Sequence, residues 1–186
     1  NGVKKTIYSE WAELRHLLPV PRGLVEKIEK TIELYPCDLL FIHRDAEKES
    51  LDNRRQEIKD ALAKLNAKNL EIPVSICVIP IRMQEAWLLF DVAAIRRASG
   101  NPNGNLEIDL PKLKFIENIP DPKEVLYQFL REASERTGRR LKKFNVRHSA
   151  GQVSQFIQDF SPLRTLSAFQ QLEEDIKEII NNQNWT

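Results

Sequence analysis

The chain has 186 residues, 41% of them hydrophobic and 30% charged, the balance of an ordinary globular protein rather than a disordered, fibrous or membrane-embedded one. Twenty-eight Lys and Arg against twenty-seven Asp and Glu give a formal charge of +1, so a nucleic-acid or membrane partner would have to be met by a local patch. Cys37 and Cys77 lie in apolar surroundings, as buried thiols of a reducing cytoplasm do, and no apolar run approaches the roughly 20 residues a membrane helix needs. A cytoplasmic protein without membrane contact is expected. The chain opens Asn1-Gly2-Val3 with no methionine, and a native start further upstream is expected.

In chain order, Val3, Ile7, Tyr8 and Trp11 suggest a short strand running into a helical turn, with Trp11, Trp87 and Trp185 as packing residues. Leu24, Val25, Ile28 and Ile32 follow the helical period, and Pro36 ends that helix. The unbroken run Leu39-Leu40-Phe41-Ile42 reads as an interior strand covered on both faces. Leu51, Ile58, Ala61, Leu62 and Leu65 predict a second helix, capped by Asp52 or Asn53. Ile72 to Ile81, rich in β-branched residues and punctuated by prolines, predicts a second interior strand. Helix, strand, helix, strand, helix is the order of βαβ units with a parallel sheet. Beyond Met83 the pattern is helical: short helices over Glu85–Phe90 and Val92–Ala98, then Lys123 to about Arg136, Val146–Phe160 and Leu163–Ile180. An α/β core over 1–100 with a helical extension over 101–186 is expected.

Candidate chemistry lies at the two strand ends. In an open α/β sheet, residues just past the carboxyl ends of the strands face the ligand crevice. Asp45 and Glu47, at i and i+2, project the same way in extended backbone and suit a shared Mg²⁺, with Mn²⁺ as substitute. The second strand ends in Arg82, Met83, Gln84 and Glu85, with Asp91 six residues on. Asp45, Glu47, Glu85 and Asp91 are therefore candidate metal ligands, Asp45 and Glu85 candidate catalytic residues, and Arg44 and Arg82 candidate phosphate holders. The alternative is a salt-bridge cluster tying strand ends to helix starts. A second region, Arg139, Arg140, Lys142 and Lys143, is a candidate nucleic-acid contact, or else a solvated helix face. P-loop, dinucleotide and serine-hydrolase motifs are absent.

The segments Leu39-Leu40-Phe41-Ile42-His43-Arg44-Asp45-Ala46-Glu47, Ile79 to Asp91, Gly100-Asn101-Pro102-Asn103-Gly104 and Asp159 to Arg164 together resemble an uncharacterised bacterial protein family with a Toprim-like core. The resemblance spans nearly the whole chain. It implies a Rossmann-like, mostly parallel sheet and Mg²⁺ held by an Asp-x-Asp pair, matched by Asp45 and Glu47 with glutamate in place of the second aspartate. The acid/base glutamate of an earlier strand has no counterpart, and the resemblance implies that an upstream strand and helix carry it. Two functions follow as expectations. One is a Mg²⁺-dependent enzyme acting on phosphodiester bonds of nucleic acid, as in nucleases of bacterial phage defence. The other is a non-catalytic interaction module or subunit of a larger assembly, with Phe169, Leu172, Ile176, Ile179 and Ile180 offering an apolar helix face to a protein partner.

Overall fold

The computed structural model describes residues 7–185, so the strand expected at Val3 lies partly outside the described residues. Residues 7–14, which include Trp11, form neither strand nor helix. The chain is a mixed α/β protein, 53% helical, with a small parallel sheet of two strands. It divides into two compact units. One takes the chain up to Arg44, Glu49–Ile79 and the chain from Gln171 on; the other takes Asp45–Lys48 and Pro80–Gln170.

In the first unit, α1 (Leu24–Leu34) buries Ile28 and stops before Pro36, and α2 (Leu51–Asn66) buries Ile58, Ala61 and Leu65 along one face. Ser50 caps α2, its hydroxyl accepting the Asn53 N–H at 3.1 Å, so the cap falls before Asp52 and Asn53. Strands β1 (Leu39–His43) and β2 (Val74–Val78) pair in parallel with Leu39 opposite Val74 and His43 opposite Val78. The α2 connection between them makes the βαβ unit that the residue order implied.

Burial corrects three expectations here. Leu40 and Ile42 are buried, but Phe41, between the half-buried Leu39 and His43 on the opposite face of β1, is 51% exposed, so among the described residues that face is only partly covered. A continuous apolar run marks apolar chemistry on both faces of a strand without showing that both are covered. Cys37 is likewise exposed and Cys77 only half-buried, and Trp11 is 75% exposed rather than packed. The last helix, α7 (Ser167–Asn182), belongs to this unit from Gln171 onward, where Asp175 pairs with Arg55 of α2 at 3.0 Å.

The second unit is built on α3 (Val92–Ala98), α4 (Pro122–Ala133), α5 (Gly138–Lys142) and α6 (Val146–Phe156), with 3₁₀ turns at Gln84–Leu88, Leu113–Asn118 and Ser161–Thr165. Helices α3, α4 and α6 pack on one another. Ile95, Leu126, Leu130 and Val153 supply fully buried side chains, and Leu126, Leu130 and Ala133 recur along one face of α4. Asp121 caps α4 by accepting the Glu124 N–H at 2.9 Å, with Pro122 in its first turn. At Gly104 the backbone passes so close to its neighbours that a β-carbon would stand 2.5 Å from Asn101 Nδ2 and 2.6 Å from Glu135 Oε1. Those two side chains tie the turn to the end of α4, Asn101 Nδ2 donating to the Ala133 carbonyl and Glu135 Oε1 accepting the Leu106 N–H, each at 2.9 Å. Among the described residues no helix is long and apolar enough to cross a membrane.

Candidate functional site

The pairing of β1 and β2 is prolonged past their carboxyl ends. Arg44 N–H donates to the Val78 carbonyl at 3.0 Å, and within the second unit Ala46 N–H reaches the Pro80 carbonyl at 3.0 Å and Glu47 N–H the Arg82 carbonyl at 2.9 Å. Two of these residues adopt left-handed backbone, Glu47 at φ 55° and Arg82 at φ 66°. Non-glycine residues visit that region at a cost of about 1–2 kcal/mol each, so the surrounding bonds must enforce it. They do so reciprocally. Glu47 donates its N–H to the Arg82 carbonyl, and Arg82 Nη1 donates to the Glu47 carbonyl at 3.2 Å.

This interlock brings the candidate residues Asp45, Glu47, Arg82 and Glu85 to neighbouring positions in one unit. Asp45 Oδ1 accepts the Gln84 N–H at 2.9 Å, holding the start of the 3₁₀ turn that carries Glu85. Ala86 and Trp87 in that turn are buried and anchor it. Glu85 is half-buried, its side chain making no hydrogen bond or ion pair among the described residues. Asp91 stands apart in role: Oδ1 accepts the Ala94 N–H at 2.9 Å as the cap of α3. Arg44 belongs to the first unit, where its guanidinium meets Glu57 at 2.8 Å, and Arg54 meets the other carboxylate oxygen at 2.8 Å. The Arg54 hydrogen bond first, and then Arg44, hold the Glu57 carboxyl below its ordinary range.

All the acids offer oxygen donors suited to a hard cation. Among the described residues, no three or more His, Cys, Asp or Glu side chains are grouped to hold a metal ion. A protein-only cage is therefore not built here, whereas Mg²⁺ asks for just one or two carboxylates and fills its octahedron with waters and substrate phosphates.

Sequence reasoning missed a second buried feature of this unit. Trp87 packs edge-to-face on Phe169 with ring centroids 5.4 Å apart, and its indole Nε1 is buried outside hydrogen-bonding geometry, as is Glu117 Oε1. Burial raises the Glu117 carboxyl above its ordinary range, and the Trp87 N–H opposes part of that rise. A raised folded-state pKa means the folded chain binds this proton more tightly than the unfolded one. Glu117 therefore contributes stability at low pH that is lost as pH rises from the ordinary carboxylate range through the raised folded value. Urea midpoints of the wild type, compared with Glu117→Gln, should fall across that window, and the variant should lack this component; identical pH profiles would contradict it. The signal available in sequence was only a lone acid, Glu117, amid the apolar residues Leu113, Phe115, Ile116 and Ile119.

The basic candidates are exposed. Arg139, Arg140, Lys142 and Lys143 lie on α5 and its C-terminal boundary. No family model matches the chain, and neither a curated protein nor a solved structure matches it.

Proposed function

We propose that this chain acts on phosphodiester bonds of nucleic acid with the help of Mg²⁺, Asp45 and Glu47 binding the cation and Glu85 completing its shell or serving as base. The observation that supports this most is the interlocked left-handed pair Glu47 and Arg82, strained backbone at adjoining strand ends, next to a half-buried Glu85 with no partner among the described residues. Arg82 is the phosphate-binding candidate of this cluster, and the basic face of α5 is the candidate grip on the polymer. Bound there, Mg²⁺ would lower the pKa of an attacking water and offset charge on the transferring phosphoryl group. On this reading the core is Toprim-like, the protein works in the cytoplasm, and the resemblance suggests bacterial genome defence as its setting.

A second reading, a non-catalytic interaction module, is favoured by a specific observation. Asp45 and Asp91 both accept backbone N–H groups at helix starts, and Arg44 pairs with Glu57, as a structural network would. Metal titration separates the two readings. Mg²⁺ or Mn²⁺ at about 100 times its dissociation constant should add about 2.7 kcal/mol to stability, read as a rise of several degrees in melting temperature. Asp45→Asn, which keeps a capping side chain, should abolish that rise. No rise in the wild type would favour the module.

A further inference from the structure

We propose that the exposed basic face of α5, together with the exposed Arg147 that follows it in the chain, binds the phosphate backbone of duplex nucleic acid without reading its bases. The inference rests on the nucleic-acid reading above but not on its metal chemistry. From Arg136 to Gln158 the chain carries no Asp or Glu, and Arg139, Arg140, Lys142, Lys143 and Arg147 are all exposed. None of these five forms an ion pair among the described residues. At about 100° per residue, positions 139, 140, 142 and 143 fan over one side of the helix, while Leu141 points the opposite way and is half-buried. The packing of Leu141 thus turns the four cations outward together.

Arg139, Arg140 and Lys142 all fall in the last turn of this five-residue helix, with Lys143 at its C-cap, and the roughly half an elementary charge at a helix C-terminus offsets only a fraction of four cations. A string of uncompensated cations calls for an external polyanion. Its form follows from what the face lacks. Single-stranded nucleic acid is held largely by bases stacking on exposed aromatic rings. Here Phe144 is half-buried with the Arg136 guanidinium 4.9 Å from its ring centroid, and Phe156 is half-buried as well. Asn145, the N-cap of α6, uses its side-chain oxygen to accept the His148 N–H at 3.1 Å, which places it poorly for the bidentate reading of adenine. Helix α5, five residues and about 7–8 Å long, is too short to lie along a major groove. Charge and N–H donors facing phosphates remain, and these position a duplex without specifying its sequence.

The test uses the whole chain in EDTA, with fluorescence anisotropy on two labelled duplexes of unrelated sequence, on one of their single strands, and by competition with vesicles of anionic phospholipid. Both duplexes should bind alike and more tightly than the single strand or the vesicles, with log K falling against log salt at a slope of about −4 to −5. Neutralising Arg139, Lys142 and Lys143 together to Gln should flatten that slope by nearly 3 and weaken low-salt binding at least tenfold. Neutralising Lys27, Lys59 and Lys64 on α1 and α2, the same change in net charge, should do far less. No duplex binding at low salt, preference for the single strand or the vesicles, or equal loss in the two triple variants would overturn the proposal. Duplex binding in EDTA without cleavage in Mg²⁺ would leave it standing and overturn the catalytic reading; metal-dependent cleavage indifferent to the α5 triple would do the reverse.

Discussion

Leu126→Ala is expected to destabilise the second unit by about 2–5 kcal/mol, the range for emptying a fully buried leucine site whose walls relax only partly. Leu126 and Leu130 are both without solvent exposure, one helical turn apart on α4, and α4 packs on α3, on α6 and on the 3₁₀ turn Gln84–Leu88 that carries Glu85. Loss there should therefore reach the site as well as the helices. For a chain of this size each kcal/mol is worth about 2–4 °C in melting temperature, so a fall of roughly 5–15 °C is expected. Leu106→Ala, at a side chain 49% exposed, is the control and should cost a small fraction of that. Equal urea midpoints for the two variants would contradict the core assignment.

Glu85→Gln is expected to lower metal-dependent cleavage by about 10²–10⁴-fold, the usual worth of a positioned acid or base. The substitution keeps the volume of a half-buried side chain that makes no hydrogen bond or ion pair among the described residues, so folding should survive. The Asp45 bond to Gln84 N–H and the buried Ala86 and Trp87 hold the turn independently of the Glu85 charge. Duplex affinity in EDTA should also be unchanged if, as proposed, the α5 cations bind without the metal. A matching loss of affinity or melting temperature would assign Glu85 a structural role instead.

The parts of the fold that were legible were those that local chemistry decides. Pro36 cannot continue a helix, Pro122 suits the first turn of one, and Leu39 to Ile42 is too apolar and too short to be anything but a strand or a buried turn of helix. Partners separated along the chain were not legible, because no spacing rule foretells them. Glu57 meeting Arg44, or Trp87 facing Glu117, is decided by packing. The short helix expected over Glu85–Phe90 is a 3₁₀ turn at Gln84–Leu88, since over five residues the α and 3₁₀ periods barely diverge. Strand ends drew attention to Asp45, Glu47, Arg82 and Glu85. The left-handed backbone that locks Glu47 to Arg82 gave no sign in sequence, neither position being glycine, asparagine or aspartate.

If these strand-end carboxylates support metal-dependent phosphodiester chemistry, as proposed, the purified chain should cleave a labelled duplex. Strand scission should appear with Mg²⁺ or Mn²⁺, disappear in EDTA, and fall by at least about a hundredfold in Glu85→Gln at unchanged duplex affinity. Cleavage that persists undiminished in Glu85→Gln, or no cleavage with either metal, would contradict the proposal.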